Sequence, residues 1–281
     1  MRNPIKKIAA INDMSGFGRA ALTSIIPILS TMSIQVCPFP TAILSTHTGG
    51  YKEPLFIDLT NTMRGYMKHW LDEGIEFDCI YSGYLGSIDQ VDIVIDFIKD
   101  FKTNTNIVVV DPVMGDHGKI YSSMDKNIVF RMRDLIKKAD VITPNLTEAL
   151  YLLNKEQTHP IDEEEIKTIM VELANLGPST VVVTSVPDKI SPDNIDVHAY
   201  DNKTKEFWII TNHRLPVNFP GTVDAFTSVL IGRMLRGDDL LLALEKSVEF
   251  VTFAIKESMK YSYPEREGIL LEKVLYKLSS K

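Results

Sequence analysis

The chain predicts an α/β fold: a mostly parallel, doubly wound central sheet flanked by helices, with an antiparallel hairpin toward the C-terminus. Three observations carry this. Short apolar runs alternate with stretches of helical spacing from residue 7 to residue 184, the rhythm of strand, helix and parallel strand. The run Thr180-Val181-Val182-Val183-Thr184 is almost continuously β-branched, as a strand buried on both faces requires. After residue 185 the pattern changes to strict alternation of apolar and polar residues over 195–200 and 206–211 across Asp201-Asn202-Lys203, which reads as a hairpin.

The elements follow in order. Residues 7–11 form a short buried strand, 12–18 a polar glycine-containing loop and 19–32 a helix. Residues 34–44 are a second strand region broken by Pro38 and Pro40, and 54–71 have helical spacing. Strands at 78–81, 107–110 and 141–143 alternate with helices at 88–101 and 126–138. Helices at 146–153 and 162–176 precede the strand 180–184, and an apolar helix opens near residue 221 and runs to about residue 235. The acidic run Glu163-Glu164-Glu165 sits at a helix start, where the macrodipole favours negative charge.

At 281 residues and 44% hydrophobic content the chain can bury a large core. No repeat or linker interrupts it, so a single domain over residues 1–281 is expected. A formal charge of −7 with dispersed Lys and Arg excludes a nucleic-acid surface. No apolar run approaches the ~20 residues that span a bilayer. Cys37 and Cys79 lack metal or redox spacing, and the apolar segment near the N-terminus is too short for a signal peptide. A reducing cytoplasmic setting is expected.

In an open parallel sheet, ligands collect beyond the carboxyl ends of the strands. Five polar loops fall there: Asn12-Asp13, Ser82-Gly83-Tyr84, the stretch from Asp111 to Asp116, Thr143-Pro144-Asn145, and Thr184-Ser185. The run Phe219-Pro220-Gly221-Thr222-Val223-Asp224 turns into a helix, so the N–H groups of Gly221, Thr222 and Val223 face outward as an anion seat. Asp224 can act there as a base, or merely as a helix-start residue. Asp111 and Glu148 suit Mg²⁺, which takes oxygen ligands and retains water. Asn145 can serve the same shell or cap the helix that carries Glu148. His47-Thr48-Gly49 offers an imidazole and a hydroxyl to a polar aromatic ligand. Gly16-Phe17-Gly18-Arg19-Ala20-Ala21 fits a dinucleotide fingerprint, but no acidic residue ends the second strand. Walker A, GxSxG and HExxH patterns are absent.

Taken in order, Asn12-Asp13-Met14-Ser15-Gly16, Ser82-Gly83-Tyr84-Leu85-Gly86-Ser87, Asp111-Pro112-Val113-Met114-Gly115-Asp116, Thr143-Pro144-Asn145-Leu146-Thr147-Glu148 and Gly221-Thr222-Val223-Asp224 resemble the ribokinase-like superfamily. The resemblance is to its branch of pyridoxal and hydroxymethylpyrimidine kinases and covers nearly the whole chain. It implies a three-layer ribokinase-like sandwich and ATP-dependent phosphorylation of a hydroxymethyl group on a B6 vitamer, with MgATP as donor and a homodimer as assembly. By the same resemblance Asp224 is the base and Gly221, Thr222 and Val223 form the anion hole. Asp111, Asn145 and Glu148 serve phosphates and Mg²⁺; Asp116, Tyr121, Thr184 and Ser185 lie along the nucleotide. Asn12, Asp13, His47, Thr48, Gly49 and Tyr84 line the vitamin pocket, Asn12 and Asp13 remaining alternatives because their loop aligns in more than one register. Hydroxymethylpyrimidine as substrate and a catalytically inactive B6-binding sensor are the competing readings. The sensor reading draws on Val223, where the family has Gly; Val is tolerated there if its φ is helical.

Overall fold

Unbroken apolar sequence at Ile8, Ala9, Ala10 and Ile11, all fully buried, makes a strand that can only lie inside a sheet. The computed structural model, which describes residues 4–122, 124–156, 159–189, 191 and 193–279, builds it into β1 (Lys6–Phe17). The chain divides into two units, one drawn from Met1–Gly83 and Leu215–Lys281, the other from Tyr84–Arg214.

In the first unit β1 pairs in parallel with β2 (Ile34–Thr46) on one side and β4 (Cys79–Ser82) on the other. β3 (Phe56–Asp58) joins β2 antiparallel. Two expectations are corrected here. Residues 12–17 are strand rather than loop: β1 stays paired with β2 as far as Phe17 and Thr46, across an irregularity between Asn12 and Met14. The neighbouring strand supplies partners that local sequence cannot announce. The segment 54–71 is not one helix either, because 56–58 form β3 before α2 (Thr60–Asp72) begins. β2 also runs straight through Pro38 and Pro40. β3 pairs only with Ala42–Leu44, so the two prolines, on one side of the strand, meet an edge where no ladder donor is needed. Tyr66 of α2 donates to the Pro38 carbonyl from that edge at 3.3 Å.

Helix α1 (Leu22–Thr31) starts three residues later than its pattern suggests, because Ala21 departs from helical geometry. Helix α7 (Thr222–Arg236) is buried continuously from Ala225 to Gly232, which fits its all-round apolar sequence, and it packs against α1 and α8 (Leu240–Ser258).

In the second unit β5 (Ile107–Val110), β8 (Val141–Ile142) and β9 (Thr180–Pro187) pair in parallel. β10 (Asn194–Asp201) and β11 (Glu206–His213) add the expected antiparallel hairpin. Helices α3 (Ile88–Phe101), α4 (Ile128–Ile136), α5 (Leu146–Leu152) and α6 (Glu163–Ala174) lie between the strands in sequence. Asp162 and Glu165 form a capping box at the start of α6. A tiny hairpin, β6 (Gly115–Asp116) with β7 (Lys119–Ile120), was not foreseen. Its two-residue turn has positive φ at both His117 (50°) and Gly118 (76°), the geometry of a type I′ hairpin. The fold is therefore the expected mixed α/β class, with a mostly parallel sheet and flanking helices. Among the described residues no helix is long and apolar enough to cross a membrane.

Candidate active site

The first unit assembles a cluster around the start of α7. Gly221 caps the helix with φ 81°, a left-handed backbone that glycine adopts without strain. A Cβ there would sit 2.1 Å from the Arg19 carbonyl oxygen, so no other residue fits. No side chain caps the helix, and the first intrahelical bond is made by Ala225 N–H to the Gly221 carbonyl. The N–H groups ahead of it have no place in the helix ladder. Val223 has no left-handed φ, so its side chain brings no backbone strain to the turn.

Asp224 does not cap its own helix. Its Oδ2 accepts the Ala21 N–H at 2.8 Å, and the nearby Asn12 side chain also favours its charged form. Burial pushes the Asp224 carboxyl up to about 6, against the lowering pull of those two groups. Asp13 is buried in the same cluster, accepts Ser15 Oγ–H at 3.1 Å and donates its N–H to Asn12 Oδ1 at 2.9 Å. Burial first, then the Asp224 charge, lift Asp13 to about 7. Two carboxyls thus sit close enough to feel one another in a desolvated setting. Gly83 lets Asn12 in: a Cβ at Gly83 would meet the Asn12 amide nitrogen at 2.3 Å.

The loop from His47 to Gly49 lies against the turn that precedes α7, where a Cβ on Gly49 would be 3.2 Å from the Pro220 ring. His47 Nδ1 accepts the Gly49 N–H at 3.1 Å, which leaves Nε2 as the donor to the Arg266 carbonyl at 2.7 Å. Burial holds the ring below the usual imidazole range. Both ring nitrogens are spent on the loop, so His47 presents a neutral ring edge and positions Thr48 and Gly49, which are exposed.

The second unit assembles another cluster. Asn145 and Glu148 form a reciprocal capping box at α5. The Asn145 N–H donates to Glu148 Oε2 at 2.9 Å and the Glu148 N–H to Asn145 Oδ1 at 2.9 Å. Glu148 Oε1 accepts Met114 N–H at 2.9 Å and Gly115 N–H at 3.4 Å, while Asn145 Nδ2 donates to the Gly115 carbonyl at 2.8 Å. Helix start and hairpin loop are locked together through these two side chains. Burial raises the Glu148 carboxyl to about 8 despite the three N–H donors. Asp111 is buried directly after β5. Asp116 and Tyr121 are solvent-exposed on or beside the small hairpin, with the Tyr121 N–H bonded to Met114. Thr184 pairs with Asn145 in a parallel bridge, and β9 bulges there, since Val183 faces His198 and Val186 faces Asp196. Ser185 takes φ 58° in that bulge and stands exposed, a strained conformation of the kind held at functional sites. Tyr84 packs beside Gly86, where a Cβ would lie 3.6 Å from its ring.

Some participants escape sequence reasoning. Ala21 is one: its φ of 52° and ψ of −139° aim an N–H at Asp224, and nothing about alanine announces that. Arg266 stacks over Tyr51 at 4.8 Å and receives His47, joining residues over two hundred positions apart. Among the described residues no group of three or more His, Cys, Asp or Glu stands ready to hold a metal. Gly16 and Phe17 lie within β1, so the first glycine of the dinucleotide fingerprint sits in strand and not in the tight turn that it should make.

Comparison with known proteins agrees with this architecture. The model of the phosphomethylpyrimidine kinase family matches residues 29–266. A Bacteroides thetaiotaomicron protein described as a phosphomethylpyrimidine kinase, crystallised with pyridoxal, is 47% identical, covers 98% of this chain and 96% of its own, and superposes with a TM-score of 0.95. The pyridoxal kinase of Lactobacillus plantarum is 30% identical over 98% of this chain and 97% of its own, TM-score 0.89. The pyridoxal kinase PdxY of Leifsonia xyli is 28% identical over 275 residues, 95% of this chain and 93% of that protein. The chain therefore belongs to the phosphomethylpyrimidine kinase family, within the pyridoxal kinase branch of the ribokinase-like superfamily.

Proposed function

We propose that the protein is a kinase that transfers the γ-phosphoryl group of ATP to the 5′-hydroxymethyl group of pyridoxal, pyridoxamine or pyridoxine. One observation carries the reading: a carboxylate in the first turn of α7, held by the Ala21 N–H rather than used as a cap, beside a glycine-started anion seat. Phosphoryl transfer proceeds through a loose transition state, so alignment and charge neutralisation supply most of the catalysis. The N–H groups of Gly221, Thr222 and Val223 bind the oxygens of the migrating group. Asp224 accepts the hydroxyl proton, and its carboxyl near 6 is mostly ionised at neutral pH.

Asn12, Asp13, Thr48, Gly49 and Tyr84 contact the vitamin, with His47 shaping the loop. Asp111, Asn145 and Glu148 serve the phosphates, and Asp116, Tyr121, Thr184 and Ser185 the rest of the nucleotide. Mg²⁺ fits a site of few carboxylates that leaves most of its shell to water and phosphate oxygens. Asp111 and Glu148 would hold it, Glu148 through water because its oxygens already accept three backbone donors. When bound, the ion neutralises phosphate charge. Residues 1–281 work as one kinase domain in the cytoplasm. A homodimer is supported by exposed apolar residues at one sheet edge, Ile43, Leu55, Phe56 and Ile57, since such edges are normally covered.

Hydroxymethylpyrimidine phosphorylation is the second reading, favoured by the family description. The sensor reading loses its support with the ordinary φ of Val223. ADP release measured with pyridoxal, pyridoxamine, pyridoxine and hydroxymethylpyrimidine tests all three. Turnover with a B6 vitamer is expected; turnover with hydroxymethylpyrimidine alone, or binding of B6 without turnover, overturns the proposal.

A further inference from the structure

Asp224 is held by the Ala21 N–H, and Ala21 offers that N–H from a strained backbone, φ 52° and ψ −139°. Such a conformation persists only where its surroundings over-determine it. Part of the support is local, since Thr23 Oγ1 donates to the Ala20 carbonyl at 2.7 Å. The rest comes from the far end of the chain, where the 3-10 turn Glu265–Glu267 is followed by Gly268 and the short helix α9 (Leu271–Val274).

The Glu267 carbonyl accepts Arg19 twice, from its backbone N–H and from Nη1, each at 3.1 Å. Arg19 Nε donates to both carboxylate oxygens of Glu272, at 3.1 and 2.9 Å. The Arg19 carbonyl is wedged between two glycines: a Cβ would lie 2.1 Å from it at Gly221 and 2.8 Å from it at Gly268. Glu265 Oε2 accepts the Asn218 N–H at 3.1 Å, and Tyr263, stacked on Phe219, donates its hydroxyl to the Gly268 carbonyl at 2.9 Å. On its other side the Arg266 carbonyl accepts His47 Nε2–H at 2.7 Å, while the Arg266 guanidinium lies over Tyr51 at 4.8 Å. One short segment thus grips the turn that holds the base, the turn that opens the anion seat and the loop from His47 to Tyr51. The Arg19–Glu272 pair is exposed on the Glu272 side, 67%, and such pairs contribute little to stability. Aligning a carboxylate is a different demand on the same bond, because small displacements of a reacting group are costly to rate.

We propose that residues 265–272 form a positioning strap, Glu267 and Glu272 holding the Arg19 to Ala21 turn against Asp224 and Arg266 holding the loop from His47 to Tyr51. The reaction this strap serves rests on the kinase reading; its grip on Asp224 does not.

Glu272→Ala and Arg266→Ala test the two arms in the full chain. Turnover is measured at pH 8, where Asp224 stays ionised, and Asp224 is titrated beside Asp13 by carboxyl NMR without ligand. Glu272→Ala should lower kcat roughly tenfold with little change in KM for the vitamin. It should also raise the Asp224 titration, because a loosened Ala21 donor no longer favours the carboxylate, whereas loss of the Glu272 charge alone would lower it. Arg266→Ala should raise KM for pyridoxal with kcat and the Asp224 titration nearly unchanged. Circular dichroism should match the parent in both. Arg19→Lys keeps the charge but lacks the planar fork that reaches both acceptors, so it reads the first arm if Glu272→Ala does not fold. An Asp224 titration that stays put or falls in Glu272→Ala, an unchanged kcat in that variant, or an unchanged pyridoxal KM in Arg266→Ala each overturns the strap. If the parent does not phosphorylate pyridoxal, the Asp224 titration and calorimetric binding of pyridoxal still read the two arms, so failure of the kinase reading and failure of the strap are separable.

Discussion

Acidification should switch off turnover through Asp224, and the buried carboxyl pair fixes the shape of the response. With its carboxyl near 6, Asp224 is about nine-tenths ionised at pH 7 and about one-tenth at pH 5, so kcat/KM, which reports the free enzyme, should fall roughly tenfold across that interval. Asp13 stands near 7 through burial first and then the Asp224 charge, which is already present. On acidification Asp13 therefore takes up its proton first, and Asp224 titrates beside a neutral neighbour. Asp13→Asn should accordingly leave the acid limb near 6, whereas Asp224→Asn should lower the Asp13 titration, readable by carboxyl NMR. Stability moves the other way. Both carboxyls bind protons more tightly folded than unfolded, so the folded state gains protons between about pH 4 and 7 and stability falls as pH rises through that window. Asp13→Asn should then raise the thermal midpoint at pH 8 and leave it nearly unchanged at pH 4. The assay is kcat/KM for the vitamin from pH 5 to 9. A flat profile between 5 and 7, or an acid limb that moves by a full unit in Asp13→Asn, would refute the ordering of the pair.

Asp224→Asn should retain folding and nucleotide binding while turnover drops at least ~10², measured by ADP release; near-normal turnover removes the base assignment. Gly221→Ala forces a left-handed alanine, costing ~1–2 kcal/mol, and drives its Cβ into the Arg19 carbonyl, so denaturant unfolding should show a loss larger than that backbone penalty alone. Asn12→Ala removes a side chain that lowers the Asp224 carboxyl, so the acid limb should shift to higher pH; a downward shift contradicts that influence. Asn145→Ala breaks the α5 cap, worth ~1 kcal/mol, and frees the Gly115 carbonyl, so KM for ATP should rise more than KM for the vitamin.

Which features were legible in the sequence follows from the range of the forces involved. The buried strands at 7–11, 107–110 and 180–184 and the hairpin 194–213 declared themselves because periodicity and β-branching are local. The capping box at Asn145 and Glu148 was legible for the same reason, its two members being three residues apart. The strand character of 12–17 was hidden because it is conferred by β2, and a polar, glycine-containing stretch becomes strand only when a neighbour supplies the ladder. Asp224 could be nominated from its motif, but not distinguished from a helix cap. That distinction needed the partner of its carboxylate, Ala21, 203 residues away, whose strained φ leaves no mark on residue type. The same holds for the pairing with Asp13: two aspartates far apart in the chain carry no warning that each sets the other's proton affinity. Sequence thus nominates the groups that do the chemistry, while the long-range contacts that tune them exist only once β1, α1 and the start of α7 have been brought together.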